Sequence, residues 1–79
     1  MKAIVIVTLK PGVLDPQGKA IEGALGSLGF AGVEGVRQGK LFEIDLAERD
    51  ADMARKSLGE MCEKLLANTV IETYRIEIV

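Results

Sequence analysis

The chain has 79 residues, ten basic and twelve acidic, with one cysteine and no histidine. That length supports a single domain, residues 1–79, which hides only about 60–65% of the surface its unfolded form exposes. One thiol excludes an internal disulfide, scattered carboxylates without imidazole argue against a metal centre, and the mixed charge gives no footprint for nucleic acid or anionic lipid, which leaves oligomerisation as the supplement to a small core.

Ala3–Leu9 is rich in β-branched residues and reads as the first strand. Ile4 and Ile6 share one of its faces, and Val5, Val7 and Leu9 share the other. A strand apolar on both sides is buried on both sides. Its longest apolar run, Ala3–Val7, is far too short to span a bilayer. With Lys2 alone before it and no small-residue cleavage site after it, the run is not a secretory signal. A reduced, cytoplasmic protein is expected.

Asp15 suits an N-cap and Pro16 the first helical position, so the first helix is expected from there to about Leu28. Ile21, Ala24, Leu25 and Leu28 fall on one face, and Gly29 fits a left-handed cap. Gly18, Gly23 and Gly26 each cost roughly 1 kcal/mol against alanine, so packing has to hold this helix. Val33–Leu46 supports two readings: a hairpin turning at Arg37–Lys40, or one long strand bent near Gly35 and Gly39. The shared parity of Val36, Phe42, Ile44 and Leu46 favours the long strand.

A second helix is expected from Asp50 or a neighbour to about Ala67, with Ala54, Leu58, Met61, Cys62, Leu65 and Leu66 as its apolar stripe. Val70–Val79 alternates, with Val70, Tyr74, Ile76 and Ile78 on its apolar side, and reads as a last strand at or near a sheet edge. The fold class is α+β. A two-layer α/β sandwich of order β-α-β-α-β is expected, its small, mainly antiparallel sheet covered by both helices on one face. Val5 and Val7, or the opposite set, are then left on the second face for another copy of the chain.

The stretch "LKPGVLDPQGKAI", Leu9–Ile21, sits where a phosphate loop would. It fails as one. Five residues rather than four separate Gly12 from Gly18, Ala20 stands where the magnesium-binding hydroxyl belongs, and Pro16 deletes an amide the phosphates would need. Cys62 falls on the apolar stripe, where burial raises a thiol's pKa, and no histidine can serve it or any hydroxyl as base. No catalytic, cofactor-binding or metal-binding residue is therefore assigned. Arg37 and Lys40, flanking Gly39, read as a sheet-edge or interface charge pair in preference to a substrate contact. The candidate interface residues are Val5, Val7, Arg37, Gly39 and Lys40.

Three stretches together carry a resemblance: "LKPGVLDPQGKAI" at 9–21, "LGFAGVEGVRQGKLFEIDL" at 28–46 and "LLANTVIETYRIEI" at 65–78. In this order and at this length they resemble the PurS family, the small subunit of phosphoribosylformylglycinamidine synthase where that enzyme is divided among several chains. Thr69 departs from the proline many relatives carry after Leu-Ala-Asn, a difference confined to a turn.

The resemblance implies a non-catalytic subunit of purine biosynthesis. The whole enzyme converts formylglycinamide ribonucleotide, glutamine, ATP and water to formylglycinamidine ribonucleotide, glutamate, ADP and phosphate. A PurQ-type glutaminase releases ammonia, and a PurL-type synthetase uses ATP and Mg2+, so these cofactors are expected on the large synthetase subunit and none on this chain. The small subunit, as a homodimer or tetramer, bridges the two and assists ammonia transfer. A reading from another class is a dimeric ligand-sensing module of the ACT or ferredoxin-like kind, with Gly35, Arg37, Gly39 and Lys40 at its site.

Overall fold

A computed structural model describes residues 1–79. Its elements follow in the order β1 (Lys2–Leu9), α1 (Pro16–Ser27), β2 (Gly39–Asp45), α2 (Ala51–Met61) running on into a π turn (Cys62–Leu66), and β3 (Glu72–Ile78). The sheet order is β2-β1-β3 with both pairings antiparallel. β1, the strand with two apolar faces, is thus central, and β3 is an edge as its alternation indicated.

The register decides which residues meet. Val5 lies between Phe42 and Ile76, Ala3 between Ile44 and Ile78, and Val7 between Lys40 and Tyr74. This face carries the core: Ala3, Val5 and Val7 cluster with Leu58, Cys62 and Ala67, with Phe42, Ile44, Tyr74 and Ile76 packed around them. Fully burying a side chain such as Leu58 stabilises by about 1.5–3 kcal/mol.

α2 begins at Asp50, whose Oδ1 accepts from the amides of Asp52 (2.9 Å) and Met53 (3.2 Å), satisfying donors at the helix start that lack intrahelical partners. Its buried positions recur four apart, at Ala54, Leu58 and Cys62, and then five apart at Ala67. The extra residue is the π turn, closed by the Ala67 amide on the Cys62 carbonyl (3.0 Å). It corrects the expected stripe: Leu66 is half-buried, but Leu65 is swung into solvent.

Two further expectations are corrected. Residues 33–46 form neither a hairpin nor one long strand: pairing with β1 begins only at Gly39, opposite Thr8, and residues 33–38 belong to no strand. Only Leu9 of β1 remains beyond that pair, and the Gln38 amide opposite it donates to the Asp15 carboxylate instead of to the strand. Nor do both helices cover the sheet. α2 does, whereas α1 projects from it with Ile21, Ala24 and Leu28 exposed.

α1 is nevertheless well terminated. Asp15 caps its start. At its end Gly29 adopts φ 99°, the Phe30 amide donates to Leu25 O and the Gly29 amide to Gly26 O. This pattern of crossed terminal bonds needs a left-handed residue and therefore favours glycine. With the helix standing away from the sheet, the radius of gyration is 15.8 Å and the long dimension 47 Å. A compact chain of this length has a radius of gyration of about 12 Å.

Candidate interaction site

The segment that leaves β1 is folded back on itself by the Val13 amide donating to Lys10 O (3.1 Å). This turn delivers Asp15 to a position between two other segments. Its Oδ1 accepts from the Gly18 amide in the first turn of α1 (2.8 Å), and its Oδ2 accepts from the Gln38 amide at the entry to β2 (2.7 Å). Those two amides and the adjacent Arg37 guanidinium, in the order Gln38, Gly18, Arg37, hold the Asp15 carboxyl below its ordinary value of 3.8. Asp15 is buried, and burial opposes the shift without cancelling it.

Arg37 returns the connection from the other side. Its Nη1 donates to Val13 O (3.0 Å), and its Nη2 to Lys10 O (3.1 Å) and Leu9 O (3.4 Å). A planar guanidinium can serve several carbonyls at once, where an ammonium is a point charge. The approach of the two segments also depends on Gly18. A Cβ there would stand 2.5 Å from Val36 O and 2.6 Å from Asp15 Oδ2.

A groove of about 350 Å³ lies between this loop, α1 and the incoming segment, with Lys19, Glu22, Glu34 and Arg37 in its walls. Lys19 is paired to Glu22 at 3.6 Å, and two acidic residues, Glu22 and Glu34, line the space, so it is not built for an anion. Lys40 lines a separate, smaller depression and pairs with Glu72 at 3.5 Å. Glu72 is held in turn by the Asn68 amide on its Oε1 (2.6 Å). Arg37 and Lys40 therefore serve different partners within the chain and form no joint patch. Gly39 likewise answers an internal need: a Cβ there would stand 2.5 Å from Val7 O.

Val5 and Val7 are corrected more firmly. Both are fully buried in the core cluster with Leu58 and Cys62. The side of the sheet with no helix on it carries the opposite set. Ile6 there lies between Leu41 and Arg75, and Ile4 between Glu43 and Glu77. Leu41 is 58% exposed. Charges rim this apolar strip, with Lys2 paired to Glu43 at 3.4 Å and Arg75 near Glu77 at 3.9 Å. Two apolar surfaces are thus uncovered by the chain itself, this strip and the face of α1 bearing Ile21 and Leu28.

Cys62 is the one free thiol, and it is buried. Desolvation, and then the nearby Glu63 charge, push its pKa up, which suppresses the thiolate a nucleophile would need. No helix is long and apolar enough to cross a membrane. Sequence reasoning left the set of Ile4 and Ile6 open as the alternative to Val5 and Val7, missed Leu41 beside it, and saw Asp15 only as a helix cap. The polar partners Glu43, Asp45, Arg75 and Glu77 were the available sign of the open side.

Comparison with known proteins gives a consistent result. Residues 2–79 match the family model of PurS, phosphoribosylformylglycinamidine (FGAM) synthase. The PurS subunit of phosphoribosylformylglycinamidine synthase from Bacillus subtilis is 53% identical over 79 residues, covering 98% of this chain and 90% of that protein. The crystal structure of Methanocaldococcus jannaschii PurS, one of the subunits of formylglycinamide ribonucleotide amidotransferase in the purine biosynthetic pathway, superposes with a TM-score of 0.88. It is 45% identical, with 96% of this chain and 92% of that one covered. A chain in the structure of PurLQS from Thermotoga maritima gives a TM-score of 0.88 at 28% identity, covering 99% of this chain and 96% of that one. Sequence and fold agree over nearly the whole chain, and the chain belongs to the PurS family.

Proposed function

We propose that this chain is a non-catalytic part of a divided FGAM synthase, docking between a PurQ-type glutaminase and a PurL-type synthetase and assisting the passage of ammonia from one to the other. The observation that carries the reading is the pair of apolar surfaces, on the sheet and on α1, that the chain leaves uncovered. A small domain gains stability when such surfaces meet a partner. The likeness to a chain of the Thermotoga maritima PurLQS structure supports the choice of partners. In this reading the strip of Ile4, Ile6 and Leu41 meets a second copy, making a homodimer or tetramer in the cytoplasm. ATP and Mg2+ act on the large synthetase subunit.

The contribution is geometric. Docking holds two active sites in fixed relation, which replaces a diffusive encounter by a short transfer. Closing the path against water keeps ammonia from being protonated or diluted. A reconstitution tests this. Omitting the chain from a mixture of glutaminase and synthetase is expected to lower glutamine-dependent amidine formation at least tenfold, while activity with added ammonium salt at alkaline pH is retained. Unchanged glutamine-dependent activity, with no co-elution of the chain, would sink the reading.

A further inference from the structure

We propose that Asp15 and Arg37 form a clasp, the single joint through which α1 and residues 30–38 are held as an arm in a fixed direction from the body made by the sheet and α2, and that opening it frees the arm while the body stays folded. The two parts have separate sources of order. The body has the core cluster, contributed by β1, α2, the π turn and Ala67. The arm contributes no residue to it, and Ile21, Ala24 and Leu28 face solvent.

Between arm and body, the returning segment has little else to hold it. The backbone of residues 31–38 makes one backbone–backbone hydrogen bond, Val33 N to Phe30 O (3.4 Å), which is internal to the arm. Its ties to the rest of the chain are those of the clasp: the Gln38 amide to Asp15, and Arg37 to the carbonyls of Leu9, Lys10 and Val13. Asp15 is well suited to the joint because it is buried and each of its oxygens takes a donor from a different segment. A carboxylate provides two acceptors without a donor, which neither an amide nor a hydroxyl side chain does. Gly18 lets the carbonyl of Val36 come against the first turn of α1, so the clasp closes without a side chain between its jaws.

The inference concerns the chain alone and does not depend on which partner the arm meets. It is tested by amide hydrogen exchange on the full chain, comparing the unaltered protein with Asp15→Asn and Arg37→Ala. Asparagine offers one acceptor where two are used, and alanine removes all three donations to the loop. In both variants the amides of α1 are expected to exchange at least tenfold faster, with those of β1 and α2 within twofold of the unaltered protein. Arg37→Lys, a milder change that keeps the charge and loses the fork, is expected to give the same pattern to a smaller extent. Unchanged protection in α1, or loss of protection in arm and body together, would overturn the proposal.

Discussion

Asp15 makes the protein's acid response partly a local matter. Its carboxyl is depressed in the folded chain by the Gln38 and Gly18 amides and by Arg37, so the stabilisation it supplies is complete above the ordinary carboxyl value of 3.8. That stabilisation disappears as pH falls through the lower folded value. Protection of the α1 amides against hydrogen exchange, compared between the unaltered chain and Asp15→Asn, is therefore expected to show a gap at neutral pH that closes towards pH 2. A constant gap across that range would mean the charged form has no special role. Gly18 offers a second test. Glycine to alanine within a helix ordinarily stabilises by about 0.8–1 kcal/mol, and Gly23 and Gly26 have nothing within 4 Å of a built Cβ. Gly23→Ala should raise the free energy of opening α1, read from amide exchange, by about that amount, whereas Gly18→Ala should lower it, because the obstructing Val36 carbonyl is backbone.

Among the elements, the sheet separates two kinds of substitution on neighbouring residues of β1. Val5 is fully buried in the cluster around Leu58, so Val5→Asp leaves a charge without a partner in the core and should unfold the body. Ile6 lies on the open side between Leu41 and Arg75. Ile6→Glu should keep the circular dichroism of the folded chain while light scattering reports loss of self-association; a variant that stays assembled would move the interface elsewhere.

Much of this architecture was legible in the residues. Asp15 and Gly29 marked the limits of α1, Asp50 the start of α2, and the alternation of residues 70–79 an edge strand. The choice between the two faces of β1 was not. Each set is apolar, and which one joins Phe42 and Ile76 depends on cross-strand register, which parity within a strand does not encode. The π turn was hidden for a related reason, since Leu65 and Leu66 fit a regular stripe equally well and tertiary packing selects between them. The Asp15–Arg37 clasp joins residues 22 positions apart in sequence, so a local motif could show only the helix cap.

At the scale of the whole molecule, the chain is elongated, with a radius of gyration of 15.8 Å against the roughly 12 Å of a compact domain of its length. Only nine of its 79 residues are buried, which makes the unpartnered chain weakly stable. Raising the protein concentration should therefore raise the thermal midpoint, since association that favours the folded form adds stability by mass action. A midpoint independent of concentration would show that the chain reaches full stability unaided.

The exposed arm has a further consequence for how much of this protein a cell keeps. A peptide chain is cleaved most readily where it opens locally, and cleavage follows the population of the opened form. Copies without a partner present α1 and residues 30–38 to proteases, while seated copies would shield them. Turnover would then match the supply of the small subunit to the number of seats, with no dedicated regulator. In a pulse-chase, depleting the partner subunits is expected to shorten the half-life of this chain several-fold, with the first cuts falling between Pro16 and Gln38.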